Sequence, residues 1–295
     1  TKIHFLIPAG PGGGWDGTAR GIGTALKESG LVESLSYENL SGGGGGRAIA
    51  KLIETAHRQE NTLLINSTPI IVRSLQGIFP QSFRDLVPIA SVIADYSCFA
   101  VRKDSAFMTF KDLSSQFKQS PDSIIVAGGS VRGNTDHFII ARALQLAGGD
   151  PRAVNYLSYD GGGRAMAGLL SGEASVLSTG LSEAIQMQRG GLIRILAVTA
   201  PAPLIDEPAL ATLKSQGIDL EFANWRGFFA AKGLRQSQYN KMENTLDKLV
   251  DTPEFEKIRA RNSWARLHQT GNQFYTFLEQ QEIQITHLMN TVGYL

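Results

Sequence analysis

A single cysteine, Cys98, stands among 295 residues, which excludes an internal disulfide and a cysteine-built metal cluster. Inside "YSCFAV" it reads as a small buried apolar side chain rather than a nucleophile, and such scarcity suits an oxidising compartment without requiring one. An excess of charge is also missing. Twenty-eight basic against 27 acidic residues leave a net +1, with no basic run of the kind that nucleic acid or an anionic membrane demands. No apolar stretch approaches the roughly 18 to 20 residues of a membrane span. The chain opens on Thr1 with the strand-like "KIHFLIPA" rather than a basic-then-apolar leader, so an exported protein would be represented here in its mature form, its signal peptide absent. What is present, 42% hydrophobic and 19% charged residues, is the composition of a globular protein with room for one large domain or two.

Short apolar runs followed by turn residues and helix-period segments recur through the first two thirds. "IHFLIPA", "NTLLINST", "LVPIASVI", "CFAVRK", "SIIVAGGS" and "IRILAVTA" read as strands, and their alternation with helical segments predicts α/β layers on largely parallel sheets. From Gln236 to Asn290 apolar residues recur at helical spacing and strand signals fade. "TPEFEKI" is a helix start, with Thr252 as N-cap, Pro253 at the first helical position and Glu254 near the positive end.

The chain also echoes itself. "GGGWDGTAR" from Gly12 is followed 32 positions later by "GGGRAIAKL" from Gly44, and "GGSVRGNTDHFIIAR" from Gly128 is followed 33 positions later by "GGGRAMAGL" from Gly161. Each loop follows a strand candidate and precedes an alanine-rich helix candidate. Two similar α/β lobes, each carrying two glycine loops toward the other, is the economical reading. Glycine bares backbone N–H groups, and the helix that follows adds unpaired donors and the positive end of its dipole, so such a loop holds an anion without any cationic side chain. A tight strand-to-helix turn also needs glycine with nothing bound; four loops together favour a small polyanion.

Other chemistries fit less well. Gly12, Gly14 and Gly17 satisfy G-x-G-x-x-G after a strand, and Glu38 lies where a ribose-binding acid would sit, so an α/β enzyme using residues 12–17 for a nucleotide cofactor is the alternative reading. Against it, Trp15 and Asp16 occupy the segment that would press on a pyrophosphate. No G-x-x-x-x-G-K-[ST] occurs. "GGSVRG" nearly forms a nucleophile elbow around Ser130, but Arg132 stands where the second glycine belongs. The histidines His4, His57, His137, His268 and His287 form no ligand pair, so no metal site is expected. His137, beside Asp136, reads either as a structural residue or as one that faces a ligand.

"PGGGWDGTAR", "YENLSGGGGGRAIA", "AGGSVRGNTDHFI", "LSYDGGGRAMAGLLSGE" and "IRILAVTAPAPL" resemble, in order and spacing, the extracytoplasmic solute receptors of tripartite tricarboxylate transporters, and the resemblance covers nearly the whole chain. It implies an α/β periplasmic binding protein fold (type II), with two α/β lobes, a ligand cleft between them and two crossover strands, the latter carried by "VRKDSAF" and "ANWRGFF". Lobe 1 is expected over 1–100 plus 224–295, with the C-terminal helices, and lobe 2 over 101–223. The resemblance also implies a monomeric periplasmic receptor, not an enzyme and without cofactor. It would take a small di- or tricarboxylate, citrate-like or C4, and make transient contact with a membrane permease.

Carried onto this sequence, the resemblance places Gly12, Gly13, Gly14 and Trp15 in one jaw, with Asp16 capping the first helix. Ser41, Gly43 and Gly44 form the second loop of that lobe, and Ser67 and Thr68 add hydroxyls. Ser130, Gly133, Asn134, Thr135 and His137 match the opposite jaw, and Tyr159, Gly161 and Gly162 its neighbour; Thr179 is a fainter candidate. Two departures stand out. The run Gly42 to Gly46 is richer in glycine than the family pattern. Arg132 occupies a position where relatives carry a small residue, and it either pairs bidentately with a ligand carboxylate or is solvated.

Overall fold

The computed structural model describes residues 1–294, and its chain divides into two compact units: Thr1–Ala94 with Trp225–Ile285, and Asp95–Asn224 with Thr286–Leu295. The expected lobe 1 took in the whole helical tail, whereas the end of the last helix groups with unit 2, where Tyr294 bonds His137 (2.6 Å).

Unit 1 starts with β1 (Lys2–Ile7), α1 (Gly14–Glu28), β2 (Ser34–Asn39), α2 (Gly46–Glu54), β3 (Thr62–Ser67) and α3 (Pro69–Leu75), and β4 (Val87–Arg102) then leads out of it. β1 lies between β2 and β3 and is parallel to both, with Phe5 opposite Tyr37 and Leu63. All six residues of β3 are buried, as expected of a strand covered on both faces. On α1, Ile22, Ala25 and Leu26 repeat at helical spacing and are fully buried. Ile22 and Leu26 each contribute about 1.5–3 kcal/mol relative to exposure.

Unit 2 adds α4 (Phe110–Gln119), β5 (Ile125–Gly128), α5 (Thr135–Leu146), β6 (Asn155–Ser158), α6 (Gly162–Ser171), β7 (Val176–Gly180), α7 (Leu181–Arg189) and β8 (Ile193–Val198). Here β5 lies between β6 and β7 and is parallel to both. The second half of β4 pairs antiparallel with β7 and β8. The echo in the sequence is thus a repeated topology: a central strand flanked by two parallel neighbours, each with a turn into a helix. The two spacings of 32 and 33 residues are one strand–helix–strand step in each unit.

The chain then returns to unit 1 as β9 (Ala223–Ala230), α8 (Gln236–Leu249), α9 (Pro253–Arg261), β10 (Ala265–Thr270) and α10 (Gly271–Val292). β9 runs antiparallel to β3, with Ser67 opposite Arg226. α9 starts as its sequence predicts: the Thr252 hydroxyl accepts from the Phe255 amide (3.2 Å). Two expectations are corrected. "LVPIASVI" and "CFAVRK" belong to one 16-residue strand, β4, because the stretch between them, Ala94 to Ser97, has no Gly or Pro and stays extended by pairing at both ends, Ala94 with Ala265 and Ser97 with Gly180. The C-terminal part also holds a strand, β10, whose mixed "ARLHQT" carries little apolar alternation and is held by pairing with β4. Cys98 is fully buried, as expected, and burial raises its thiol well above the usual range.

Candidate functional site

In unit 1 the C-terminal ends of the three parallel strands β1, β2 and β3 carry the candidate loops, the edge at which open α/β sheets bind ligands. The β1–α1 loop is held by Asp16. Its Oδ2 accepts from the Gly12 amide (2.9 Å), and its Oδ1 accepts from Arg20 Nε and from Asn39 Nδ2 (both 2.9 Å). Asn39, the last residue of β2, also donates to the Ala9 carbonyl (3.0 Å). Burial works to raise the Asp16 carboxyl, but bonds from Asn39, Gly12 and Arg20 outweigh it and hold the group below its usual value. Asp16 therefore ties the loop rather than capping α1, whose N-cap, Gly13, has no side-chain partner.

The amide of Gly12 is engaged by Asp16, but those of Gly13, Gly14 and Trp15 have no acceptor among the described residues. They stand at the positive end of a 15-residue helix, with Gly13 and Gly14 exposed. Trp15 donates its Nε1–H to Ser67 Oγ (2.9 Å), so both are brought to one place. Thr68 follows, fully buried, its hydroxyl without a partner among the described residues.

The second loop lies against the first. A Cβ on Gly10 would meet Ser41 Oγ at 3.8 Å, and one on Gly45 would lie 3.7 Å from the Trp15 ring. Gly42 to Gly45 all have positive φ (132°, 57°, 65°, 101°), which accounts for the excess of glycine. The amides of Gly45 and Arg47 turn back onto the Gly42 carbonyl, and that of Gly46 onto Gly43. Gly43 and Gly44 are exposed, and Arg73 donates to the Gly44 carbonyl while lying 5.6 Å from the centre of the Trp15 ring. Glu38, which a dinucleotide site would turn toward ribose, is paired with Lys51 (2.5 Å) and lies 3.4 Å from His4 Nε2.

Sequence reasoning missed Arg226. This β9 residue is 7% exposed, donates to Thr18 Oγ1 (2.7 Å), and comes within 3.0 Å of where a Cβ on Gly14 would sit. A guanidinium packed under the first turn of α1 adds positive potential where the amides are open. The signal was a lone charge inside the buried pattern "ANWRGFFA".

In unit 2 the loops after β5, β6 and β7 take the matching places. Asp136 Oδ2 accepts from the Gly129 amide (3.1 Å), the counterpart of Asp16 and Gly12. Burial first, and then the charge of Glu183, raise the Asp136 carboxyl to about 7. The first amides of α5 are capped: Thr135 donates to Asn134 Oδ1 (2.7 Å) and Asp136 to Ser130 Oγ (3.3 Å). Ser130 thus works as an acceptor inside its own loop. The Gly133 amide donates to His137 Nδ1 (2.9 Å), which leaves the imidazole proton on Nε2, where it meets Tyr294 Oη. Burial, and then Arg132, lower His137 to about 4. His137 is fully buried and stacked on Tyr156, so it supports the loop from behind. Arg132 is exposed, with no hydrogen bond or ion pair among the described residues.

Beside it, the β6–α6 turn packs directly on the first loop. A Cβ on Gly129 would fall 2.4 Å from the Gly162 amide nitrogen. The Gly161 amide reaches the Gly129 carbonyl (3.2 Å) and the Tyr159 carbonyl (3.0 Å), whereas those of Gly162, Gly163 and Arg164 have no acceptor among the described residues. Tyr159 turns away, its hydroxyl donating to Glu173 (2.6 Å), and Thr179 donates to Glu183 (2.7 Å). Neither hydroxyl proton points to an open position. Glu183, Asp95, whose carboxylate accepts from the Ser182 amide (3.1 Å), and Tyr294 carried no local sequence signal.

Among the described residues no helix is long and apolar enough to cross a membrane, and no three His, Cys, Asp or Glu side chains group as a metal site. The family model described as "Tripartite tricarboxylate transporter family receptor" matches residues 25–294. A Pseudomonas sp. (strain P51) protein from the tcbD-tcbE intergenic region is 27% identical over 256 residues, 85% of this chain and 74% of that protein. A TctC solute binding protein from Polaromonas superposes with a TM-score of 0.77 at 21% identity, over 98% of both chains. An R. palustris protein solved with adipate superposes at 0.87 and 18% identity, over 99% of this chain and 98% of that one. The chain therefore belongs to the tripartite tricarboxylate transporter receptor family and has the α/β fold of its solute-binding proteins.

Proposed function

We propose that this receptor works in the periplasm as a monomer, without cofactor or chemical turnover. It captures a small di- or tricarboxylate, citrate-like or C4, through backbone amides of the glycine loops of both units, and delivers it to a membrane permease. The observation that carries this reading is the row of amides at Gly13, Gly14 and Trp15, left without acceptors at the head of α1 and backed by the buried Arg226. Such donors gain most from a full negative charge. The amides of Gly162 to Arg164 and the exposed guanidinium of Arg132 supply unit 2's share. The adipate held by the R. palustris protein is a dicarboxylate and supports the same class here.

Calorimetry with malate, adipate, citrate and NAD tests this, on the wild type and on Gly13→Val. Organic acids are expected to bind and NAD not. Gly13→Val places methyl groups over the α1 amides and should weaken the acids about a hundredfold or more, the scale of two charge-assisted bonds. Tight NAD binding with no response to organic acids would overturn the reading, and full affinity in Gly13→Val would remove the first jaw from it.

A further inference from the structure

Resting on that carboxylate reading, we propose that Glu183 limits how much negative charge the solute carries at unit 2, as a resident carboxylate at the head of α6 that an incoming acid group must displace. Glu183 lies in the first turn of α7, but its carboxylate reaches across to α6. A Cβ on Gly162 would fall 1.6 Å from Glu183 Oε2 and 2.6 Å from its Cδ. Gly162 is the first residue of α6, whose opening amides are the ones without acceptors. Glycine at 162 therefore makes the room that Glu183 occupies, and that room adjoins the positive end of the helix, where an anion is most favourable.

Thr179 donates to the same Oε2 at 2.7 Å and holds the carboxylate in place. The Glu183 charge is also felt behind the loop, where it is the second cause, after burial, of the raised Asp136 carboxyl. Glu183 is an exposed residue on a flexible stem, so its head group can swing aside without unpacking α7. A solute acid group that takes its place must work against a like charge close by. The opposition grows with each negative charge the solute brings. A carboxylate pinned here thus sets a preference among acids that open backbone amides alone do not.

The test is Glu183→Gln, which keeps the size and the acceptor for Thr179 and removes the charge. Calorimetry at pH 8 and fixed salt compares butyrate, adipate and citrate. The variant is expected to bind citrate about tenfold or more tightly than the wild type, adipate about threefold, and butyrate nearly unchanged, a slope with solute charge that a packing role would not produce. Glu183→Asp draws the charge back by one methylene, and its slope should fall between the two. It also carries the test should Glu183→Gln fail to fold. An equal change for all three acids, or weaker citrate binding in the variant, would overturn the role of Glu183. No binding of any acid by the wild type would instead bring down the receptor reading beneath it.

Discussion

In unit 1 the helix after the central strand opens with free amides, while the helix after its neighbour, α2, has its first amides turned back onto Gly42 and Gly43. In unit 2 the order is reversed. There α5 is capped by Asn134 and Ser130, and α6 is the helix left open. Of the two helices that follow glycine loops in each unit, one thus opens with amides that have no acceptor among the described residues, and it is not the same copy of the repeat. The accompanying charges differ as well: Arg226 lies under α1, and Glu183 stands at α6. A repeated topology fixes where anion donors are available; the local acceptors, backbone carbonyls at α2 and side chains at α5, decide which of them stay open.

The largest way to break the comparison is at Gly129. In unit 2 two loops touch backbone to backbone there, whereas the nearest approach to a Cβ on Gly13 in unit 1 is 3.9 Å. Gly129→Ala should cost about 3 kcal/mol, the cost of forced overpacking against atoms that cannot rotate away. Gly13→Ala should cost under about 1 kcal/mol. Urea unfolding of both variants measures the difference, and equal losses would deny that unit 2's loops are packed this way.

The two loop-holding acids sharpen it next. Asp16 is lowered, so the stability it lends is present at neutral pH and is lost as pH falls below about 4. Asp136 is raised to about 7, so its contribution is complete below about 4 and is lost as pH rises from there through about 7. Asp136→Asn should therefore flatten the decline between pH 4 and 7 and gain on the order of 2 kcal/mol at pH 8, where the native carboxylate is buried beside Glu183. Asp16→Asn should flatten only the acid limb. Thermal unfolding across pH 3 to 8 checks both, and a common limb for the two variants would show that burial does not separate these acids.

The repeat was legible in the sequence because it depends on local chemistry: "GGGRAIA" and "GGGRAMA" put glycine where a strand must turn sharply into a helix. The N-cap at Thr252 was legible for the same reason. What could not be read was which donors and acceptors are already taken once the chain has folded, by neighbours in the loop or by distant residues. Thr135, Asn134 and Ser130 look like ligand-binding polar residues, yet they bond mainly to one another and to their own loop. Their roles follow from which amides lie within about 3 Å after folding. Tyr294 reaches His137 across 157 positions, and Glu183 meets Gly162 from another helix, pairings no periodicity announces. Gly12, Gly133 and Gly161 match the motif, but their amides are taken by Asp16, His137 and the carbonyls of Gly129 and Tyr159. A motif shows that a donor exists and leaves open whether it is occupied.

The smallest effect expected is at Arg132, where the two units differ most in how they present a cation. Arg226 is buried against the start of α1, whereas Arg132 is exposed in its loop. An exposed guanidinium is screened and must be ordered on binding, so its bond falls at the low end of those made to charged groups. Arg132→Ala should lose about 1.5 kcal/mol of affinity for adipate or citrate, and the loss should shrink as salt is raised from 50 to 500 mM. Arg132→Lys should recover only part, since an ammonium cannot grip a carboxylate bidentately. Calorimetry at the two salt concentrations reads both. An affinity unchanged in Arg132→Ala at low salt would assign the side chain to solvent and leave α6 as unit 2's only donor to the solute.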